Sequence, residues 1–181
     1  MSSGHASSMA TPIPDLADVA ANAEALRAAY RPDRIAVLFV GESAPAGGTF
    51  FYAGDSQVHR YLSDALSPHL PGSRPFLDRF RDAGLYLDDL VLTPVNRLAP
   101  RERAARNLAA VPCLAARLAA YRPLAVVGIA KTIAIPLAQA LARAGLTCPL
   151  HVISFPGTGQ QANFRREIGG LLPGLLTFVR S

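Results

Sequence analysis

Gly41-Glu42-Ser43-Ala44-Pro45 places a carboxylate and a hydroxyl directly after an apolar run, and the aromatic triplet Phe50-Phe51-Tyr52 follows. Gly41 permits a tight turn, and the amides after it can point into a pocket. Glu42, with the Ser43 hydroxyl beside it, is the candidate catalytic pair. A carboxylate there can orient or activate a water, or stabilise a cationic transition state; its competing role is to cap the next helix or pair with an arginine. If Phe50 and Phe51 are extended, one points inward and one outward, so one offers a stacking face or both fill the core. Further on, Thr93 and Asn96 sit in a second candidate loop. An asparagine amide presents donor and acceptor together, which matches the edge of a nucleobase; the competing role is an ordinary turn asparagine.

Two more loops carry polar groups. Gly128 to Thr132 opens a helix, so its amides suit a phosphate, and Lys131 adds charge. Ser154 to Arg166 is polar and holds Thr158, Gln160, Gln161, Asn163 and Arg165, with Gly157 and Gly159 allowing close approach. Such a loop suits a DNA backbone or a wedge into a duplex. The competing role is a helix N-terminus capped by Thr158. Of the four histidines only His59, early in a helix, is placed to reach the pocket. No Ser/His/Asp set, HExxH, Walker or dinucleotide fingerprint is present. Cys113 and Cys148 cannot make a four-ligand zinc or iron–sulfur site and are expected to be buried free thiols, so no metal or cofactor is expected.

The elements that must position these residues follow from periodicity and punctuation. A helix is expected over 15–31, a buried strand over 34–40, a helix from Gln57 to Leu66 capped by Asp55 or Ser56, and a short helix over 75–83. A second strand is read over Asp89 to Thr93, which leaves Glu42 as the only acidic residue at any strand's carboxyl end. Arg101 to Tyr121 is helical with a break near Pro112; Leu124 to Ile129 and Leu150 to Phe155 are strands; helices run over 132–144 and 162–178, the last bent or split near Gly169, Gly170 and Pro173. Strands alternating with helices, with no hairpin signal, give an α/β fold with a parallel sheet covered on both faces. All strand-end loops then gather at one edge, where ligands of such sheets bind.

At 181 residues the chain suits one domain, over 14–181, behind a Ser- and Gly-rich tail over 1–13 that is expected to be disordered and lacks the form of a secretory signal. No apolar stretch is long enough for a membrane span, so a cytoplasmic protein that does not bind membranes is expected. Charge is divided unevenly: residues 1–95 hold 7 basic and 11 acidic side chains, whereas residues 96–181 hold 11 basic and 2 acidic ones. That asymmetry points to an anionic partner such as nucleic acid.

With these residues placed, a resemblance emerges. The strand ending in Gly41-Glu42-Ser43-Ala44-Pro45 resembles the first motif of the uracil-DNA glycosylase superfamily, most nearly the Gly-Glu-Ala-Pro-Gly form of its iron–sulfur branch. Tyr121 to Thr132 resembles the stretch before that family's last strand, and Phe155-Pro156-Gly157-Thr158 falls where the family has His-Pro-Ser-Pro. The match in order and spacing extends over roughly residues 34–168. Phe155 stands in place of the histidine, the cluster cysteines are missing, and Asn96 is offset from the family's base-reading asparagine.

The resemblance implies a three-layer α/β/α sandwich around a four-stranded parallel sheet. It also implies hydrolysis of the N-glycosidic bond of deoxyuridine in single- or double-stranded DNA by a monomeric, monofunctional enzyme, leaving an abasic site. Glu42 would position water or stabilise the sugar cation, and Phe50 or Phe51 would stack on uracil. Asn96 or Thr93 would read its edge. The 157–163 loop would replace the extruded base, with Arg97, Lys131 and Arg165 near phosphates. The alternatives are a DNA-binding relative without catalysis, or an enzyme acting on another damaged base or a free nucleotide.

Overall fold

The computed structural model describes residues 16–157 and 159–179, so the tail 1–13 and Thr158 lie outside the described residues. Strands β1 (Val37–Gly41), β2 (Leu85–Asp89), β3 (Ala125–Ile129) and β4 (Leu150–Ile153) form one all-parallel sheet in the order β2-β1-β3-β4. Val37 to Val40 are fully buried, as a central parallel strand covered by helices on both faces requires. Helices α1 (Leu16–Ala29), α2 (Gln57–Leu66), α3 (Phe76–Asp82), α4 (Pro100–Ala109), α5 (Val111–Tyr121), α6 (Ala134–Arg143) and α7 (Gln161–Val179) complete the chain. Right-handed crossovers put α5 and α6 together on one face and α2 against α7 on the other. The expected three-layer α/β/α sandwich is the observed architecture.

Register brings the strand ends together. Gly41 pairs with Asp89 on one side, and Val40 pairs with Gly128 on the other. The strand order runs outward from β1 in both directions, so the crevice of the fold opens at the carboxyl ends beside β1.

Three sequence expectations need correction. The second strand occupies Leu85–Asp89, not 89–93. Gly84, at φ +71°, turns the chain, and its carbonyl accepts from Ala36 N at 2.7 Å, so pairing with β1 begins at once. The apolar residues that suggested a later strand follow it: Leu90 and Val91 donate to the carbonyls of Gly41 and Glu42, and Leu92 is exposed. The two aspartates are tolerated inside because Arg27 of α1 and Arg117 of α5 meet them.

The second concerns α7, expected to be bent or split near Gly169, Gly170 and Pro173: it is not split, and one helix runs through Pro173. The residue four before the proline is Gly169; both are exposed, so the carbonyl deprived of its donor is open to water. Third, Cys113 is exposed and Cys148 half-buried, although both are free as expected. The break near Pro112 is present: α4 ends at Ala109, and Pro112 lies in the first turn of α5.

Candidate functional site

Each strand end contributes to one cavity of about 820 Å³: Gly41, Asp89, Ile129 and, just after β4, Ser154. That volume lies in the range of small-molecule sites. Its walls come from the loop after β1, the start of α2, loop residue Asn96, Arg103 of α4, Lys131 and Thr132, and the segment around Phe155.

The loop after β1 is locked to the loop after β2. The Ser43 hydroxyl accepts from Val95 N at 3.2 Å, and the Asn96 side-chain oxygen accepts from Ala46 N at 3.0 Å. Both residues line the cavity, yet each spends a hydrogen-bonding position on holding the two loops together. Thr93 and Arg97 are exposed and do not line it.

Glu42 is held by α4. Its Oε1 accepts from Arg103 Nε at 2.8 Å and Asn107 Nδ2 at 2.7 Å, and its Oε2 accepts from the Arg103 guanidinium. Arg103 and Asn107 are four residues apart, so one helix face delivers both groups. Burial pushes the Glu42 carboxyl up, but the Arg103 and Asn107 hydrogen bonds, the Arg103 charge and the Thr132 hydroxyl outweigh it and hold the pKa below its ordinary value. Glu42 is therefore a fixed anion at neutral pH. Arginine pairing, the competing role named from sequence, occurs together with a position on the cavity wall.

The aromatic triplet divides. Phe50 and Phe51 are buried and line the cavity. Tyr52 faces away, into the core, where its hydroxyl donates to Leu87 O at 2.9 Å and accepts from Leu87 N at 2.7 Å. It stacks on Tyr30 and is no part of the cavity wall. His59 also misses the cavity; it packs edge-on against Phe51 and Phe76. Its backbone amide donates to the Ser56 hydroxyl, so Ser56 caps α2, while Asp55 accepts from Phe50 N at 2.7 Å.

The cations and amides expected at phosphates are largely engaged. Lys131 donates to Val152 O and pairs with Glu167 Oε1 at 3.3 Å, while lining the cavity. Arg165 lies over the Tyr61 ring at 4.8 Å. Gln160 lines the cavity and accepts from Asn163 Nδ2 at 2.8 Å; Gln161 opens α7. Arg97, Arg101 and Arg106 are exposed, and among the described residues none of them forms an ion pair.

Asp89 is the residue that sequence reasoning missed. With β2 at its observed place, Asp89 ends that strand and lines the cavity, so Glu42 is not the only acid at a strand end. Its Oδ2 accepts from Arg27 NH2 at 2.8 Å. Neighbouring Asp88 accepts from Arg117 Nε at 2.7 Å and from Asp89 N at 2.7 Å, and Arg117 also donates to Asp89 O at 2.6 Å. Burial pushes the Asp89 pKa up; Arg27 opposes this, Asp88 adds to it and Arg117 opposes it, leaving it at about 6. Arg27 also lies over the Phe50 ring, 5.3 Å from its centroid, and so ties α1 to the cavity floor. The usable signal was Gly84: a glycine turn right before Leu85-Tyr86-Leu87 sets the strand start four residues earlier.

At the mouth stands Phe155, which is 44% exposed although it lines the cavity. A Cβ on Gly157 would come within 2.8 Å of Phe155 Cδ1, so the glycine lets this ring fold back over the loop. Chemically, the arrangement offers a fixed anion, a buried carboxyl near neutrality, an aromatic wall and an aromatic rim. No protein-family model matches the chain, and no curated protein matches it.

Proposed function

We propose that the cavity receives a nucleobase turned out of DNA and that the protein hydrolyses the N-glycosidic bond of deoxyuridine, leaving an abasic site. The observation that carries this reading is the meeting of Glu42 with Phe50 and Phe51 in one cavity at the carboxyl edge of the sheet. A flat wall suits a flat base, and a fixed carboxylate suits the positive charge that develops on the sugar. Base excision needs the nucleotide out of the stack, and a concave site of this size suits an extruded nucleotide.

In the proposed reaction the C1′–N1 bond breaks with its electron pair going to the base. Glu42 stabilises the oxocarbenium-like sugar and orients the water whose oxygen bonds to C1′; the water's proton passes to solvent or to the departing base. The clamp by Arg103 and Asn107 keeps Glu42 charged and stationary, which favours electrostatic stabilisation over strong general-base action. DNA as partner is supported by the excess of basic residues in the second half of the chain and by exposed Arg97, Arg101 and Arg106.

The test is single-turnover incubation of a deoxyuridine oligonucleotide with excess protein, reading free uracil and alkali-labile breaks. Release by the wild type and its loss in Glu42→Gln are expected. A second reading, a DNA-binding relative without catalysis, is favoured by the same clamp, because both Glu42 oxygens already hold partners. It predicts salt-sensitive binding with no base release.

A further inference from the structure

We propose that Arg103 bridges Glu42 and a phosphate of the bound nucleotide, so that the cavity selects a phosphorylated nucleoside over the bare one. This rests on the cavity being a nucleotide pocket with the sugar beside Glu42.

An arginine side chain carries five N–H donors in one plane. Arg103 gives one edge of that plane to Glu42: Nε donates to Oε1 at 2.8 Å, and Nη2 donates to Oε2. Among the described residues nothing accepts from Nη1. The other edge, made of Nη1 and the second N–H of Nη2, is therefore open. Such a fork matches two oxygens of a phosphate. It is also held in place, because the Glu42 side chain is only 9% exposed and is fixed in turn by buried Asn107. The Arg103 side chain is 37% exposed and lines the cavity, so a ligand can reach it.

Pairing with Glu42 offsets the charge of Arg103, so the surroundings must supply the rest of the attraction. They are positive. Three of the four charged residues of α4 are arginines, and Arg97, Arg101 and Arg106 are exposed without an ion pair among the described residues. No side chain caps α4 at Ala99, so the first-turn amides, one turn before Arg103, add positive polarity. Lys131, the other cation on the cavity wall, is already committed to Val152 O and Glu167.

A nucleotide carries its phosphate on the sugar whose C1′ meets Glu42, so a donor fork anchored on Glu42 stands within one sugar of that phosphate. A phosphate on one edge and Glu42 on the other hold the guanidinium from both sides. Arg103 is then a binding residue for the phosphate and a positioning residue for Glu42. A diester of a DNA strand and the monoester of a free nucleotide present the same chemistry to it.

Calorimetric titration of the full chain tests the inference, with ligands built on 2′-fluoro-2′-deoxyuridine, whose fluorine slows loss of the base. They are the nucleoside, its 5′- and 3′-monophosphates, and a single-stranded oligonucleotide carrying it at the centre. In the wild type at least one phosphorylated ligand should bind at least about tenfold more tightly than the nucleoside. In Arg103→Gln that ratio should fall below about threefold. An Arg103 that only clamps Glu42 predicts instead that all the ligands weaken together and the ratio stays. Arg103→Lys, which keeps the charge but has no fork, should also lose most of the ratio and serves if Arg103→Gln does not fold. A ratio carried by a monophosphate makes a free nucleotide sufficient, and one carried by the oligonucleotide alone assigns the DNA backbone; either supports the role of Arg103 when the variant abolishes it. A ratio near one in the wild type, or one that survives in the variants, overturns that role and spares the pocket, which nucleoside binding and uracil release report separately. Absence of binding by every ligand, with no base release from DNA, overturns the pocket and the inference together.

Discussion

Glu42 and Asp89 stand next to the ends of adjacent strands and line the same cavity, yet their surroundings drive them in opposite directions. Glu42 meets a half-exposed arginine and an asparagine on one helix face, and its charge is favoured despite partial burial. Asp89 meets Arg27 at 2.8 Å, a shorter list of partners, inside the fold and next to a second aspartate. There the desolvation of its own charge wins, and its pKa rises to about 6. Pairing with an arginine is therefore not sufficient to fix a carboxylate's state; the solvation lost on the way in decides. The result is one carboxyl suited to constant charge and one suited to a proton that comes and goes.

The strongest way to break this contrast is to remove Arg27. In Arg27→Met, Asp89 and Asp88 lose a buried counter-ion, and we expect a loss of roughly 3–5 kcal/mol in urea denaturation at neutral pH. Arg103→Met, at the exposed end of the comparison, should cost only about 1 kcal/mol in the same measurement. Next comes Glu42→Gln. If constant charge is what Glu42 supplies, single-turnover uracil release should fall about 10²–10³-fold while the melting temperature moves by a few degrees at most.

The pH dependence of stability sharpens the contrast further. Asp89 has a folded pKa above its unfolded one, so its contribution is fully present below the ordinary aspartate value and declines as pH rises to about 6. Glu42 has a folded pKa below its unfolded one, so its contribution is present above the ordinary glutamate value and is lost as pH falls through the lower folded value. Denaturation of Asp89→Asn across this range should lose the first slope and keep the second. The smallest effect concerns the rim. Phe155→Ala should change stability by less than about 0.5 kcal/mol but weaken binding of uracil-containing DNA about fivefold.

Much of the fold was legible because parallel strands and their helices obey strong local rules. The first strand is an unbroken apolar run, and Gly145 and the Pro112 region punctuate helices where expected. The second strand was not legible from apolarity, since only its first three residues, Leu-Tyr-Leu, are apolar in type and its last two are paired aspartates. Those aspartates are buried only because Arg27 and Arg117 reach them from positions 61 and 29 residues away, measured from Asp88, and no local pattern encodes that. The site suffered the same way. Glu42 and Phe50 announce themselves through a motif and a cluster, whereas Asp89 becomes visible only once the register places it beside Gly41. Arg103 and Asn107 had the right spacing, but nothing in the sequence said which helix would face Glu42.

We propose that this cavity excises uracil with Glu42 as a fixed anion. The most direct measurement is the single-turnover rate of uracil release from a deoxyuridine oligonucleotide at about pH 5 and about pH 8, under enzyme excess. Release by the wild type is expected at both pH values, with Glu42→Gln about 10²–10³-fold slower at each. No uracil release at either pH, or equal rates in the wild type and Glu42→Gln, would overturn this reading.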